Sequence, residues 1–254
     1  MTHKTHKIYT FYSPILKILE DFQLDKLGLK NNIHFNALNL ATTTLTLAKD
    51  EYLFREGEVG NHVYIILSGK VLISKMSPEG NEFSFRICTS NDICGELTLF
   101  NPEPKYYFNA RALTHATVAV IPREDFENEV LINREYSQEF MMWLYKHMQR
   151  TITRFSSLIT YGKKGSLYST LISMANSFGI KNEDESITID HRMTNQELAS
   201  FCSTTRETVN IFLNELKKEG TISTSKGRIT INNMKHLQSY MGCANCVAAY
   251  CGIS

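Results

Sequence analysis

Thr194-Asn195-Gln196-Glu197-Leu198-Ala199-Ser200-Phe201-Cys202-Ser203-Thr204-Thr205-Arg206-Glu207-Thr208-Val209-Asn210-Ile211-Phe212-Leu213-Asn214-Glu215-Leu216-Lys217-Lys218-Glu219-Gly220 carries two helix starts and one helix stop. Thr194 with Glu197 forms a capping box, so a helix begins there with Leu198, Ala199 and Phe201 turned inward. Cys202 to Thr204 interrupts it. Thr205 caps a second helix from Arg206 to Glu219, with Val209, Phe212, Leu213 and Leu216 on its core face and Gly220 as its stop. Two short helices joined by three or four residues predict a helix-turn-helix, whose second helix lies in the major groove of DNA. Thr221 to Ser223 and Arg228 to Ile231 then read as two strands of a wing turning at Ser225-Lys226-Gly227. A packed helical hairpin with no DNA role would share the apolar pattern, but Arg206, Glu207 and Asn210 leave the helix opposite its core face. Arg can bond bidentately to guanine, Glu can accept from the cytosine amino group, and Asn can serve adenine. The candidate DNA-binding residues are Thr205, Arg206, Glu207, Asn210 and Lys226.

Upstream of this segment lies enough chain for a second domain. The 254 residues are 43% apolar and 21% charged, which is globular rather than disordered. A net charge of +1 advertises no polyanion partner, and from Tyr161 to Tyr240 ten basic residues face eight acidic ones. Any nucleic-acid contact therefore depends on a local patch. No apolar run reaches 18 residues and the N-terminus lacks a secretory signal, so the chain reads as cytoplasmic with no membrane partner.

From about Leu40 to Ile121, short apolar runs (52–54, 63–67, 71–75, 83–88 and 116–121) alternate with Gly57, Gly60, Gly69, Gly80 and Gly95. That spacing predicts a small antiparallel barrel or jelly roll. After Pro122 the pattern becomes helical, from Arg123 or Asn133 to Tyr161. Met141, Leu144, Met148, Thr151, Phe155 and Leu158 follow a heptad rhythm. A helix of roughly 28 residues is about 42 Å long and outreaches a small barrel, so its apolar seam predicts a homodimer. Gly162 and Gly165 flank Lys163 and Lys164 as a hinge, followed by a helix from Leu167 to Gly179 and a strand at 187–189. The predicted fold class is α+β: residues 1–122 hold an N-terminal segment and a sensory β-barrel, 123–161 a dimerisation helix, 162–240 a winged helix-turn-helix, and 241–254 a cysteine-rich tail. An enzyme of the cupin-like barrel class would need a cluster of metal ligands, which His62 and His115 alone do not supply. No enzyme is expected.

From about Leu40 to Asn232 the sequence resembles the Crp/Fnr family of transcription regulators. The resemblance is carried in order by Tyr52-Leu53-Phe54-Arg55-Glu56-Gly57, Gly95-Glu96-Leu97-Thr98-Leu99-Phe100 and Thr205-Arg206-Glu207-Thr208-Val209. It implies a cyclic-nucleotide-binding-like barrel, a dimer on an inverted-repeat operator with half-sites similar to TGTGA, and RNA polymerase as a partner. Ile211 stands where the family often has Arg, which implies looser reading of one base position. Family members that bind cyclic AMP hold its phosphate with a Gly-Glu-Leu turn and an Arg-Ser pair. Gly95, Glu96 and Leu97 match, but Tyr106 and Tyr107 replace the pair, and a charge-assisted bond worth roughly 1.5 to 3 kcal/mol is lost. On this reading no cyclic nucleotide is expected.

Cys243, Cys246 and Cys251 give the spacing C-x2-C-x4-C, which suits a metal centre, with zinc or an inert tail as the alternatives. The tail, with Tyr161-Gly162-Lys163-Lys164-Gly165-Ser166-Leu167-Tyr168-Ser169-Thr170-Leu171-Ile172, resembles the oxygen-sensing branch of the family in Bacillus and relatives. That resemblance implies a [4Fe-4S] cluster on Cys243, Cys246 and Cys251 and an oxygen or redox signal. It also implies an Asp ligand where Ser157 stands, leaving the fourth ligand to Ser157, water, Asp190 or His236. Cys88, Cys94 and Cys202 read as core residues. The alternative function is a regulator of the same type whose barrel senses a small metabolite, with zinc or no metal on the cysteines.

Overall fold

The computed structural model describes residues 37–243 and 251–253. Its strands are β1 Thr43–Leu47, β2 Tyr52–Phe54, β3 His62–Ser68, β4 Val71–Met76, β5 Glu82–Cys88, β6 Ile93–Cys94, β7 Asn109–Ala112 and β8 Ala116–Pro122. Strand order is β1-β8-β3-β6 in one sheet and β2-β7-β4-β5 in the other. The expectation of a small antiparallel barrel or jelly roll in this region is borne out; β1, β6 and β7 are additions to the predicted strands. They escape a periodicity search because β6 is two residues long and the Thr43-Thr44-Leu45-Thr46-Leu47 and Asn109-Ala110-Arg111-Ala112 runs carry few large apolar side chains.

Two compact units divide the described residues: 37–71 with 88–140, and 72–87 with 141–243 and 251–253. In the first unit, β8 pairs antiparallel with both β1 and β3, in a register that puts Tyr64 opposite Val120. Val63, Ile65, Ile93, Ala110, Val118 and Ile121 are fully buried there. Helix α1, Arg123–Ile132, buries Phe126, whose ring meets Tyr136 and Phe140 edge-on at 5.5 and 5.3 Å. Such edge-to-face pairs add to the burial of aromatic area. Asn133 separates α1 from the next helix, and its Oδ1 accepts from the backbone N–H groups of Glu135 and Tyr136 at 3.2 Å each. This is the capping role for which Asn is favoured at a helix start.

Helix α2 runs over Arg134–Phe178 and is broken at Gly162, where φ is 61° and ψ −159°. Beyond the break, in the second unit, Leu167, Tyr168, Leu171, Ile172 and Met174 are buried. There follow β9 Gly179–Lys181, β10 Ile187–Ile189, α3 Asn195–Phe201, α4 Arg206–Lys218, β11 Ile222–Ser225, β12 Arg228–Ile231 and α5 Met234–Tyr240. Their sheet has the order β11-β12-β10-β9. Among the described residues, no helix is long and apolar enough to cross a membrane.

The exposed apolar stripe on α2 keeps Met141, Met148 and Phe155 of the predicted seam, and its second column lies one position along. Met141, Tyr145, Met148, Ile152, Phe155 and Ile159 are exposed at 60, 49, 55, 50, 63 and 68%. Leu144 is less exposed, at 39%, Thr151 is exposed and polar, and Leu158 is half-buried. Steps of four and three through 141, 148 and 155 admit either neighbouring column, and only 145, 152 and 159 is apolar throughout.

Candidate nucleic-acid interface

Thr194 Oγ1 accepts from the Glu197 backbone N–H while the Glu197 carboxylate accepts from the Thr194 N–H at 2.6 Å, so the capping box is formed at both ends. Leu198, Ala199 and Phe201 are buried, and the chain turns through Ser203 at a positive φ of 50°. Thr205 then caps α4, its Oγ1 accepting from Thr208 N at 3.3 Å. Val209, Leu213 and Leu216 bury the inner face of α4. Arg206 and Glu207 are exposed on its first turn, and Asn210 follows one turn later on the same side, half-buried. Lys164 Nζ meets the Glu215 carboxylate at 2.9 Å, which raises the lysine pKa by hydrogen bonding.

The wing is a two-residue hairpin, with Ser225 paired to Arg228 and both Lys226 and Gly227 at positive φ, 48° and 77°. Two such residues make the I′-type turn whose twist matches antiparallel strands, and glycine takes the second position without steric cost. The turn holds Lys226 exposed at the tip. Asp190 anchors β12 through Arg228 Nη2 at 2.8 Å. Arg206, Glu207 and Asn210 thus share one face of α4, while Lys226 stands apart on the wing.

Three residues of this unit escaped the sequence reading. Asn195 Nδ2 donates to Asn210 Oδ1. Asn214 is exposed one turn beyond Asn210; the period that placed Asn210 on the outer face also reaches it. Arg154 donates to the Phe85 carbonyl, and its Nη2 lies 3.5 Å from the carbonyls of Ser84 and Phe201. Phe201 ends α3, so a cation there meets the negative end of the helix dipole. Burial draws the Arg154 guanidinium below its ordinary pKa and pushes the thiol of fully buried Cys202 up to about 11. Cys202 donates to Thr170 Oγ1 at 3.6 Å, a core contact.

In the first unit, Gly95 opens the 3-10 turn Glu96–Thr98 in a left-handed conformation, φ 86°, where a Cβ would approach the Tyr106 ring at 3.3 Å. Tyr106 is buried, stacks on Phe54 at 3.9 Å between ring centres, and donates to the His62 carbonyl at 2.9 Å. Burial raises the pKa of both Tyr106 and Tyr64 above the usual phenol range. Tyr107, by contrast, is 57% exposed.

Two expectations about cofactors are overturned. Among the described residues, no group of three or more His, Cys, Asp and Glu side chains could hold a metal ion. A [4Fe-4S] cluster needs several thiolates converging on one centre, so the cluster expected on Cys243, Cys246 and Cys251 is not sustained. Cys243 and Cys251 are half-buried, Cys251 Sγ faces Ser173 Oγ at 3.6 Å and its carbonyl accepts from Asn176 Nδ2 at 2.6 Å, while Cys246 lies outside the described residues. Ser157 is buried and its hydroxyl donates to the Thr153 carbonyl at 2.9 Å. In the barrel, residues 44–133 match the family of the cyclic nucleotide-binding domain. That match overturns the expectation that no cyclic nucleotide is involved, which rested on the replacement of one Arg-Ser pair.

Residues 167–240 match the Crp-like helix-turn-helix domain. The chain is 39% identical over 220 residues to the anaerobic regulatory protein of Bacillus subtilis, covering 86% of this chain and 92% of that protein. It is 29% identical over 185 residues to a CRP-like cAMP-activated global transcriptional regulator of Mycobacterium tuberculosis, covering 73% of this chain and 82% of that one. Among solved structures, FixK2 from Bradyrhizobium japonicum has the same fold with a TM-score of 0.68 at 18% identity, covering 78% of this chain and 96% of that chain. A CooA mutant from Carboxydothermus hydrogenoformans also aligns with a TM-score of 0.68, at 21% identity over 84% of this chain and 96% of that chain. The chain belongs to the Crp/Fnr family of dimeric, non-enzymatic, DNA-binding transcription regulators.

Proposed function

We propose that this regulator reads an inverted-repeat operator with Arg206 and Glu207 at its base edges, Thr205 and Lys226 on the phosphates, and that its barrel senses a small ligand. The observation that carries the DNA assignment is the exposure of Arg206 and Glu207 on the first turn of a helix whose opposite face is buried. The N-terminal residues of a recognition helix are those that contact base edges. The match of residues 44–133 to a ligand-binding domain family supports the sensing role of the barrel. The Gly95 turn is the element proposed to meet a ligand there, while Phe54, Tyr64 and Tyr106 are buried against one another beside it. A bound ligand shifts the dimer only by the difference in its affinity for two arrangements. Domain limits at 122, 161 and 240 and contact with RNA polymerase form part of the same proposal.

A second reading of the setting, control of genes used in the absence of oxygen, is favoured by the 39% identity to the anaerobic regulatory protein of Bacillus subtilis. It concerns which genes are controlled and leaves the barrel as the sensor. Titration of the full chain with cyclic AMP, cyclic GMP and a panel of small anionic metabolites, followed by operator binding at saturation, tests the sensing role. One of them binding and changing operator affinity supports it; binding of none, with the operator still recognised, contradicts it.

A further inference from the structure

We infer that Asn195, on the first helix of the helix-turn-helix, decides which bases Asn210 selects by fixing the direction of its side-chain amide. The inference rests on the DNA-reading assignment of α4 and adds a residue to it. An asparagine amide has an acceptor end, the carbonyl oxygen, and a donor end with two N–H groups. Asn195 Nδ2 donates to Asn210 Oδ1, so the acceptor end of Asn210 is turned toward α3. Among the described residues, Asn210 Nδ2 has no hydrogen-bond acceptor. Asn210 lies four residues after Arg206 and three after Glu207, the spacing that puts side chains on one helix face.

The position of Asn195 supports the same assignment. It lines a depression together with Gln196 and Arg206, and a second groove with Lys217, Thr224 and Lys226. It therefore stands between the base-reading start of α4 and the wing, where its pairing with Asn210 meets the DNA face. An unconstrained Asn recognises adenine by using both ends of its amide at once, accepting from N6 and donating to N7. With its carbonyl turned toward Asn195, Asn210 is left to present its N–H donors, which suit guanine, with acceptors at both O6 and N7, or O4 of thymine, better than adenine, whose N6 amino group is itself a donor. Asn195 is a positioning residue here, since it acts through Asn210.

The test is selection from duplex libraries in which each position of the half-site is varied in turn, using the full chain, Asn195→Asp, Asn195→Ala and Asn210→Asp. The parent is expected to favour guanine or thymine at the position Asn210 faces. Asn195→Asp replaces the donor with acceptors only, so Asn210 must reverse its amide, donate inward and present its oxygen. The preference at that one position should then move toward the amino groups of adenine or cytosine, by about fivefold or more in the selection ratio. A carboxylate at the first turn of α3 is compatible with the helix dipole, so the fold should survive the change. Asn210→Asp, which leaves α3 untouched, should shift the same position the same way, and Asn195→Ala should flatten it. Unchanged preferences at every position in all three variants, with the parent operator still bound, would overturn the inference alone. A parent chain that selects no sequence would overturn both the inference and the DNA-reading assignment.

Discussion

Ile152→Ala is the substitution that most directly separates the two columns of apolar residues on α2. Ile152 is 50% exposed on the single chain. Fully burying an isoleucine side chain is worth about 1.5 to 3 kcal/mol, so the exposed half has about 1 kcal/mol still to gain in a helix-to-helix dimer. Two helices carry it, and truncation should weaken the dimer by about 2 kcal/mol, or roughly 30-fold in dissociation constant. Thr151 provides the contrast. If the interface followed 144, 151 and 158, Thr151→Leu would replace a polar side chain at its centre and tighten the dimer strongly; with the stripe on 145, 152 and 159 it should change the dissociation constant by less than about threefold. Sedimentation equilibrium over a dilution series reads both. Ile152→Ala within threefold of the parent, or Thr151→Leu tightening the dimer tenfold, would refute the placement of the stripe.

Arg206→Ala should cost about 1 to 3 kcal/mol on a matched operator and little on a mismatched one, whereas Lys226→Ala should weaken all sequences alike and lower the salt slope by about one; fluorescence anisotropy titrations at several salt concentrations distinguish the two. Thr194→Ala removes the acceptor of the capping box on α3 and should lower stability by about 1 kcal/mol in urea unfolding. Because the thiol of Cys202 is pushed up to about 11 in the native state, only the unfolded thiol ionises between about pH 9 and 11. The unfolded state then binds fewer protons, so stability should fall across that interval by at most roughly 3 kcal/mol. Cys202→Ala should show a shallower loss in denaturant titrations over the same pH range.

The winged helix was legible because its signals are local. Thr194 with Glu197, Thr205 and Gly220 mark helix ends through contacts a few residues apart, and Val209, Leu213 and Leu216 repeat at the helical period. The pairing of Asn195 with Asn210 spans 15 residues and depends on how α3 crosses α4, which no periodicity encodes. Arg154 shows the same limit: it reads as one basic residue among the apolar residues of α2, yet its acceptors come from Ser84, Phe85 and Phe201. Heptad spacing found the apolar face of α2 but could not choose between Leu144 and Tyr145, because 3.6 residues per turn leaves both beside Met141 and Met148. The tail cysteines offered spacing without placement, and spacing alone does not bring thiols together. In the barrel, the replacement of an Arg-Ser pair by Tyr106 and Tyr107 described one corner of the domain and was not enough to decide what the whole domain binds.

Under the proposed function, a symmetric dimer reads DNA through the exposed start of α4. Hydroxyl-radical footprinting of the full chain on a duplex with two inverted half-sites tests it, with Arg206→Ala run in parallel. Two protected patches are expected one helical turn apart, about 34 to 36 Å, with two chains per duplex and loss of the pattern in the variant. Protection of a single patch, or a pattern that Arg206→Ala leaves intact, would contradict it.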